Sequence, residues 1–305
     1  MRGHTLALAV DLGGTKVDAA LVDADGTVVA GSAHRAPTGR DAARDDIAAA
    51  IQRVAAQALG HVTADDRLIG VGIGSAGPVD LAQGRIAPLN LPAIAGLPIV
   101  ALVQHVCPDV PVRLALDGAS IALAEHWKGA AAGTRNALAM VVSTGVGGGL
   151  IVDGAPVSGF SGNAGHIGQL RLRARGPGAP ATDGTLEARA SGPATVAWAR
   201  ARGWAGATGE DLARAYADAD PIAVAAVRRS AGAVGEAIAS VATLLDLEVA
   251  VIAGGFAGVT PDYLDLVRAA VHESAVFDYA RRVRVAASGL DGNGPLIGAA
   301  ALVLR

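Results

Sequence analysis

The first apolar run of the chain, Leu6 to Val10, stops at Asp11 and a Gly-Gly turn, and a second run, Val17 to Val22, follows. Asp25-Gly26 then marks a turn into Thr27–Ala30. Short apolar runs bounded by glycine and Asp-Gly predict a strand, a tight hairpin and more strand. No G-x-G-x-x-G is present to open a helix, as a dinucleotide fold would require. From Thr38 to Leu59 the rhythm changes. Ile47, Ile51, Val54 and Ala58 fall on one face of a predicted helix, with Thr38 as its N-cap. "LIGVGIGSAGPVD" reads as a buried strand entering a Gly/Pro turn, and "VPVRLALD" as another strand, followed by a helix from Gly118 to Ala132.

The stretch "ALAMVVSTGVGGGLIVDGAPV" then repeats the opening pattern of strand, Gly turn, strand and Asp-Gly turn. One unit thus occurs twice, near residues 6–30 and 138–157, which predicts an α/β protein of two lobes facing each other across a central cleft. The expected lobes are residues 1–116 with 290–305, and residues 117–289. Helices are predicted near Gly232–Leu245 and Pro261–Val271, and strands in "EVAVIA" and "RVRVAA". The apolar end "GPLIGAAALVL" predicts a helix that packs back on one lobe.

Composition narrows the class. A length of 305 residues allows two domains with a substantial core. Hydrophobic residues at 51% with only 3% aromatics suit sheets built from small and β-branched side chains. A formal charge of −3 gives no basic footprint for nucleic acid. Cys107, the single cysteine, cannot form an internal disulfide and is compatible with a reducing cytoplasm. The first apolar run is broken by Asp11, short of the ~7–15 residues of a signal peptide core. No stretch approaches the ~20 residues of a membrane span. A soluble cytoplasmic protein without membrane partners is expected.

The candidate chemistry lies in the glycine turns. In the first, Asp11, Gly13, Gly14, Thr15 and Lys16 come together. Adjacent glycines let backbone N–H groups approach an anion, Thr15 and Lys16 add donors, and Asp11 can hold Mg²⁺ through water. An ordinary glycine hairpin fits this turn equally well. The second turn, Ser143 to Gly149, has four glycines in five positions, costly in a strand unless a ligand or another backbone comes close. Thr144, Gly145 and Gly147 are therefore candidate phosphate contacts. Gly254 and Gly255, after "EVAVIA", are placed to flank an adenine. Together the turns favour nucleotide binding over a purely structural role. Asp117, between a strand and a helix, fits two roles: an N-cap worth ~1 kcal/mol, or a general base.

These segments also carry a resemblance. "DLGGTK", "GIGSAGPVD", "NLP", the Asp before "LAEHWKG", "VSTGVGGG", "GHIG" and "GTLEARAS" follow in the order of the ROK family of sugar kinases and sugar-responsive repressors. The chain resembles that family over nearly its whole length. The resemblance implies two RNase H-like lobes of the actin/hexokinase type, with ATP and Mg²⁺ in the cleft and a sugar at its base. It implies Asp117 as the base that deprotonates the sugar's primary hydroxyl for attack on the γ-phosphate. Asn90, His166 and Glu187 are implied as sugar contacts, with Ser75 and Gly77 of the "GIGSAGPVD" loop. It further implies a homodimer, without the DNA-binding domain that the repressors carry ahead of the first strand.

The sequence departs from the family in three places. ROK kinases typically read G-E-x-G-H, and with His166 as the histidine the Glu position is Asn163. They typically hold a structural Zn²⁺ with that His and a C-x-C-G-x-x-G-C run. Aligned on "GTLE", the cysteine positions become Gly178, Pro180 and Thr185. Neither Gly nor Pro offers a ligand, so no structural zinc is expected. Turns at Pro177, Pro180 and Asp183-Gly184 are expected to order the loop instead. Beside the base, the family's Asn-Asp is Leu116-Asp117. Leucine leaves a buried hydroxyl unpaired, at ~1–3 kcal/mol, and Asn163 replaces a charged acceptor with an amide. Both changes fall on the substrate side. They predict a kinase for a modified or amino hexose, a C7-cyclitol or N-acetylmannosamine, ahead of plain glucose. The alternatives are a glucokinase, a non-catalytic sugar-binding regulator, and a phosphatase or ATPase on the same fold.

Overall fold

The structure, a computed structural model, describes residues 3–173 and 180–305. The chain runs through β1 (Thr5–Leu12), β2 (Lys16–Asp23), β3 (His34–Pro37), α1 (Arg44–Leu59), β4 (Arg67–Ser75), β5 (Val79–Asp80) and β6 (Arg85–Ile86). Next come α2 (Ile99–Val106), β7 (Val112–Leu116), α3 (Asp117–Lys128), β8 (Ala137–Val142), β9 (Val146–Val152) and β10 (Ala155–Pro156). The helices α4 (Glu187–Ala190), α5 (Gly192–Arg200), α6 (Gly209–Ala217) and α7 (Pro221–Leu245) follow. The chain closes with β11 (Val249–Ala253), α8 (Tyr263–Ser274), α9 (Asp278–Arg281), β12 (Arg284–Ala287) and α10 (Gly294–Leu304). Two compact units result: Met1–Ala132 with Pro156–Gly165 and Gly289–Arg305, and Gly133–Ala155 with His166–Ser288.

The first unit is built on a sheet of order β3-β2-β1-β4-β7, in which β1 is antiparallel to β2 and parallel to β4. Alternation along "TLALAV" sorts side chains by size across that sheet. Leu6, Leu8 and Val10 join the core with Ile51 and Val54 of α1, while Ala7 and Ala9 face Ala299 and Ala300 of α10. Small residues on that second face let the terminal helix lie against the sheet backbone. A Cβ on Gly72 of β4 would fall 1.7 Å from the Ala299 carbonyl oxygen, and one on Gly298 1.8 Å from that of Ser120 in α3. The predicted return of the last helix onto a lobe is thus a backbone-to-backbone fit.

The second unit repeats the plan, with order β10-β9-β8-β11-β12 and β8 antiparallel to β9. Its long helix α7 starts at Pro221, where the Asp220 carboxylate accepts the N–H groups of Ile222 (2.9 Å) and Ala223 (2.8 Å). Buried Val227, Val234 and Ile238 lay α7 into the core. The two predicted hairpins are therefore present, one per unit.

Three expectations differ from the structure. Thr38 does not cap α1, which begins at Arg44 behind Ala43. Its N–H instead donates to Thr15 O (2.9 Å) and its hydroxyl to Gly13 O (3.3 Å), tying it to the first glycine turn. The expected lobe boundary at 116/117 falls ahead of α3, whereas α3 packs on α10, β4 and β7 and stays with the first unit. The helix expected from Gly232 reaches back to Pro221. Among the described residues no helix is long and apolar enough to cross a membrane.

The close approach at α10 makes a stability prediction. Gly298→Ala and Gly72→Ala are each expected to cost about 1–3 kcal/mol by overpacking. Gly232→Ala, in helix α7 with open space around its Cβ position, is expected to stabilise by about 0.5–1 kcal/mol. Urea denaturation of the three variants checks both signs.

Candidate active site

In the first unit, β1 and β7 flank β4 and run parallel to it, so their carboxyl ends emerge on one edge of the sheet. The register sets Asp11 across from Gly74, Leu12 across from Ser75, and Ser75 across from Leu116, with Asp117 the next residue. Asp117 lies in the first turn of α3, where its Oδ1 accepts the Gly118 N–H at 2.7 Å. The N-cap position itself belongs to Leu116.

Asp11 keeps a partly exposed edge, but most of its surroundings are protein. Burial, then the neighbouring charges of Asp117 and Asp18, raise its pKa from 3.8 to about 7, against the pull of Lys16 and Arg35. Those two cations are engaged elsewhere: Lys16 Nζ lies 3.2 Å from Asp18 Oδ2, and Arg35 grips Asp18 at 2.6 and 2.9 Å. A carboxylate in an anionic pocket whose cations are already paired suits a divalent ion held through water. Among the described residues no group of three His, Cys, Asp or Glu could hold a metal directly.

The remaining substrate-side candidates of this unit divide into two kinds. Asn90 lies over the first glycine turn: a Cβ on Gly14 would meet its Nδ2 at 2.1 Å. Gly77 stands in the turn between β4 and β5. Ser75 is fully buried and donates to Ala76 O at 3.0 Å, and Leu116 is 1% exposed within the core. Asn163 is also occupied. Its Oδ1 accepts Val79 N–H and its Nδ2 donates to Val79 O, both at 2.8 Å.

The second unit contains a pocket of about 590 Å³, lined by Ser143 and Thr144 of the β8–β9 turn, Gly192 of α5, Thr208 of α6, and Gly255 and Phe256 after β11. Both helices start at it. Ser191 Oγ accepts Ala194 N–H at α5, and Thr208 and Asp211 form a reciprocal capping box at α6. Helix N-termini favour anions, and the Phe256 ring supplies an apolar wall. The turn is held from behind, where Glu187 Oε2 accepts Val146 N–H at 2.9 Å and fills the space beside Gly145. Gln169 Nε2 donates to the other oxygen at 3.4 Å, so both Glu187 oxygens are engaged inside this unit. Of the predicted nucleotide contacts, Thr144 and Gly255 line the pocket. Gly145 and Gly254 (φ +103°) shape the adjoining backbone, and Gly147 faces open space. The contributions of α5 and α6 were not read from sequence, although Ser191-Gly192-Pro193 and Thr208-x-x-Asp211 are helix-start signals.

The G-E-x-G-H frame assigned to Gly162–His166 is divided by the structure: Gly165 ends a segment of the first unit and His166 begins one of the second. The same spacing recurs at Gly165-His166-Ile167-Gly168-Gln169. Ile167–Gln169 form a 3-10 turn that packs on β9, with Gln169 beside Glu187. Among the described residues that follow, the Arg171 guanidinium donates to the carbonyls of Ala181 (2.8 Å) and Asp183. Pro180 O accepts Asp183 N–H (3.0 Å), and Thr185 Oγ1 donates to Thr182 O (2.7 Å). Pro177 and Gly178 lie outside the described residues.

Comparison with known proteins accords with this geometry. The model of the ROK family matches residues 7–305. The N-acetylmannosamine kinase of Yersinia pseudotuberculosis serotype O:1b (strain IP 31758) is 33% identical over 273 residues, 86% of this chain and 87% of its own. The ROK hexokinase of Thermus thermophilus superposes with a TM-score of 0.83 at 31% identity, covering 98% of this chain and 97% of that one. A ROK family glucokinase from Streptomyces griseus, in complex with glucose and AMPPNP, gives 0.82 at 27% identity over 98% and 99%. The fold is that of the actin/hexokinase-like ATPases.

The Asp11 environment predicts a pH dependence with a definite sign. With a pKa raised from 3.8 to about 7, the folded state favours protonated Asp11, so its contribution is complete below pH 3.8 and is lost as pH rises toward 7. The full loss is of order 4 kcal/mol at about 1.4 kcal/mol per unit. Asp11→Asn is expected to flatten the stability slope over that window, measured by urea denaturation at several pH values. Asp117→Asn is expected to move Asp11 back toward the ordinary range in a ¹³C carboxyl titration.

Proposed function

Because this chain belongs to the ROK family, we propose that it is a kinase moving the γ-phosphoryl group of ATP to the primary hydroxyl of a hexose-like acceptor. The observation that carries this reading is the pairing of Asp11 and Asp117 at the ends of two parallel strands, close enough for each charge to act on the other. Asp117 takes the acceptor's hydroxyl proton as that oxygen bonds to the γ-phosphorus and the bond to the bridging oxygen breaks, leaving ADP. Asp11 would hold Mg²⁺, which would supply neutralisation of the phosphate charge. Asn90 and Gly77 serve the acceptor, while Gly13, Gly14, Thr15 and Lys16 serve the phosphates. In the second unit Phe256 and Gly255 receive the base, and the Thr144 turn with the starts of α5 and α6 receives phosphate oxygens. The same reading has the enzyme acting in the cytoplasm as a homodimer, on the strength of the family resemblance.

The acceptor is a modified hexose. N-acetylmannosamine comes first, since proteins bearing that kinase name match this chain at 31–33% identity. A C7-cyclitol follows, and plain glucose comes last. Leu116 and Asn163 act on this choice indirectly, the first by giving the site an apolar floor and the second by holding residues 161–163 against Val79. His166 takes the acceptor-contacting place in the second G-x-x-G frame. An imidazole there offers one donor and one acceptor, where a glutamate offers two acceptor oxygens.

Two sets of measurements test this. In coupled ADP-release assays with ATP-Mg²⁺, N-acetylmannosamine is expected to exceed glucose and a valiolone-type cyclitol in kcat/KM. Asp117→Asn is expected to lower kcat by at least ~10²-fold. Glucose as the best acceptor would overturn the substrate choice, and wild-type turnover without Asp117 would overturn the mechanism. His166→Ala is expected to raise the sugar KM about tenfold, the equivalent of one lost hydrogen bond, at unchanged Tm. Asn163→Ala should do the reverse, lowering stability by about 1–3 kcal/mol with little change in KM.

A further inference from the structure

A cluster of arginines in the second unit takes no part in the chemistry above. Arg229 of α7 feels the charges of Arg189 of α4, Arg202 just beyond α5 and Arg173, and Arg189 that of Arg173. Arg202 stacks on the Trp198 ring with its guanidinium carbon 3.7 Å from the centroid, and that of Arg229 lies 5.5 Å from the same centroid. Arg229 Nη1 donates to Arg189 O at 2.7 Å, and Arg202 Nη1 to Trp198 O at 3.2 Å. Among the described residues none of the four forms an ion pair. The carboxylate of Glu236 on α7 partly offsets the repulsion at Arg189.

Like charges gathered in partly buried positions are unfavourable unless an anion offsets them. Two signs of that imbalance are present. Burial, then Arg189, Arg202 and Arg173, lower the pKa of Arg229 from 12.5 to about 10. Arg189 Nε is buried with no hydrogen-bond partner, an atom that costs free energy until an acceptor arrives. Guanidinium forks held flat by an aromatic ring and a backbone carbonyl are pre-organised for tetrahedral oxyanions.

We propose that Arg189, Arg202, Arg229 and Arg173 form a binding site for a phosphate-type oxyanion, separate from the nucleotide pocket. Its position gives it reach. Trp198 sits on α5, the helix whose Gly192, Val196 and Arg200 line that pocket. Arg189 shares α4 with Glu187, the residue that holds the Val146 amide behind the glycine turn. An oxyanion on the arginines would therefore tie α4, which stands behind the glycine turn, to α5, which lines the pocket. The source is free phosphate or the phosphate group of a sugar phosphate, which present the same oxygens.

Isothermal titration with inorganic phosphate, and separately with glucose 6-phosphate, tests the site in full-length protein saturated with Mg-AMPPNP. The readout is binding, so it stands whether or not the chain proves to be a kinase. Saturable phosphate binding is expected, weakened about tenfold or more in Arg202→Gln and Arg173→Gln, both exposed positions where folding is not at risk. Tighter glucose 6-phosphate binding that is equally sensitive to these variants would identify a sugar phosphate as the source. Absence of phosphate binding, or binding insensitive to both substitutions, would overturn the proposal. Arg202→Glu adds a second check: supplying an internal anion, it should raise Tm and abolish the phosphate response. If instead it changes the oligomeric state in light scattering, the arginines meet a second copy of the chain and the proposal fails.

Discussion

The candidate chemistry depends on one electrostatic constraint: a carboxylate is held inside the protein beside another carboxylate. Asp11 and Asp117 come from segments more than a hundred residues apart, joined because β1, β4 and β7 run parallel and end together. Water would remove the repulsion between them by hydrating both charges, but burial of Asp11 forbids that. The protein's own cations offset the conflict only in part, because Lys16 and Arg35 are also paired with Asp18. The tension is left for whatever binds there, which is how a site can be stable when empty and still gain from a cation.

The two units show how one hairpin plan serves two purposes. In the first, the turn after β1 carries side-chain charge at Asp11 and Lys16 and is stitched to Thr38. In the second, the turn after β8 carries no charge of its own. Its amides are positioned from behind by Glu187, itself steadied by Gln169. The carboxylate expected at the substrate thus also steadies a backbone donor. The same conversion applies to Asn163, whose amide is spent on Val79.

Much of the fold was legible because its signals are local. Strands β1, β2, β8 and β9 announce themselves by apolar runs cut by glycine, and α10 by its composition. Thr38 misled because Thr before an apolar helical pattern is a cap signal, and only its tertiary bonds to Thr15 and Gly13 show otherwise. The front half of α7 and all of α5 are alanine-rich, with weak contrast between faces, so periodicity could not mark them, and α6, though amphipathic, spans only nine residues. Asp11, Asp117 and the two turns stood out as candidates because their residue types are chemically unusual at strand ends. The frame of the G-x-x-G motif did not, since two copies overlap in sequence and only packing of residues 167–169 on β9 distinguishes them.

The seam where α10 crosses β4 and α3 also constrains how this gene can change. Gly72 and Gly298 each press backbone against backbone at distances no side chain can enter. Every glycine codon is one base change from alanine and from valine. In a chain so rich in alanine, that substitution is tolerated at many surfaces. At these two positions it is closed in both directions, because neither strand nor helix can withdraw without dragging the neighbour it is fitted to. The seam is therefore a place where drift is blocked by geometry alone, far from any reacting atom.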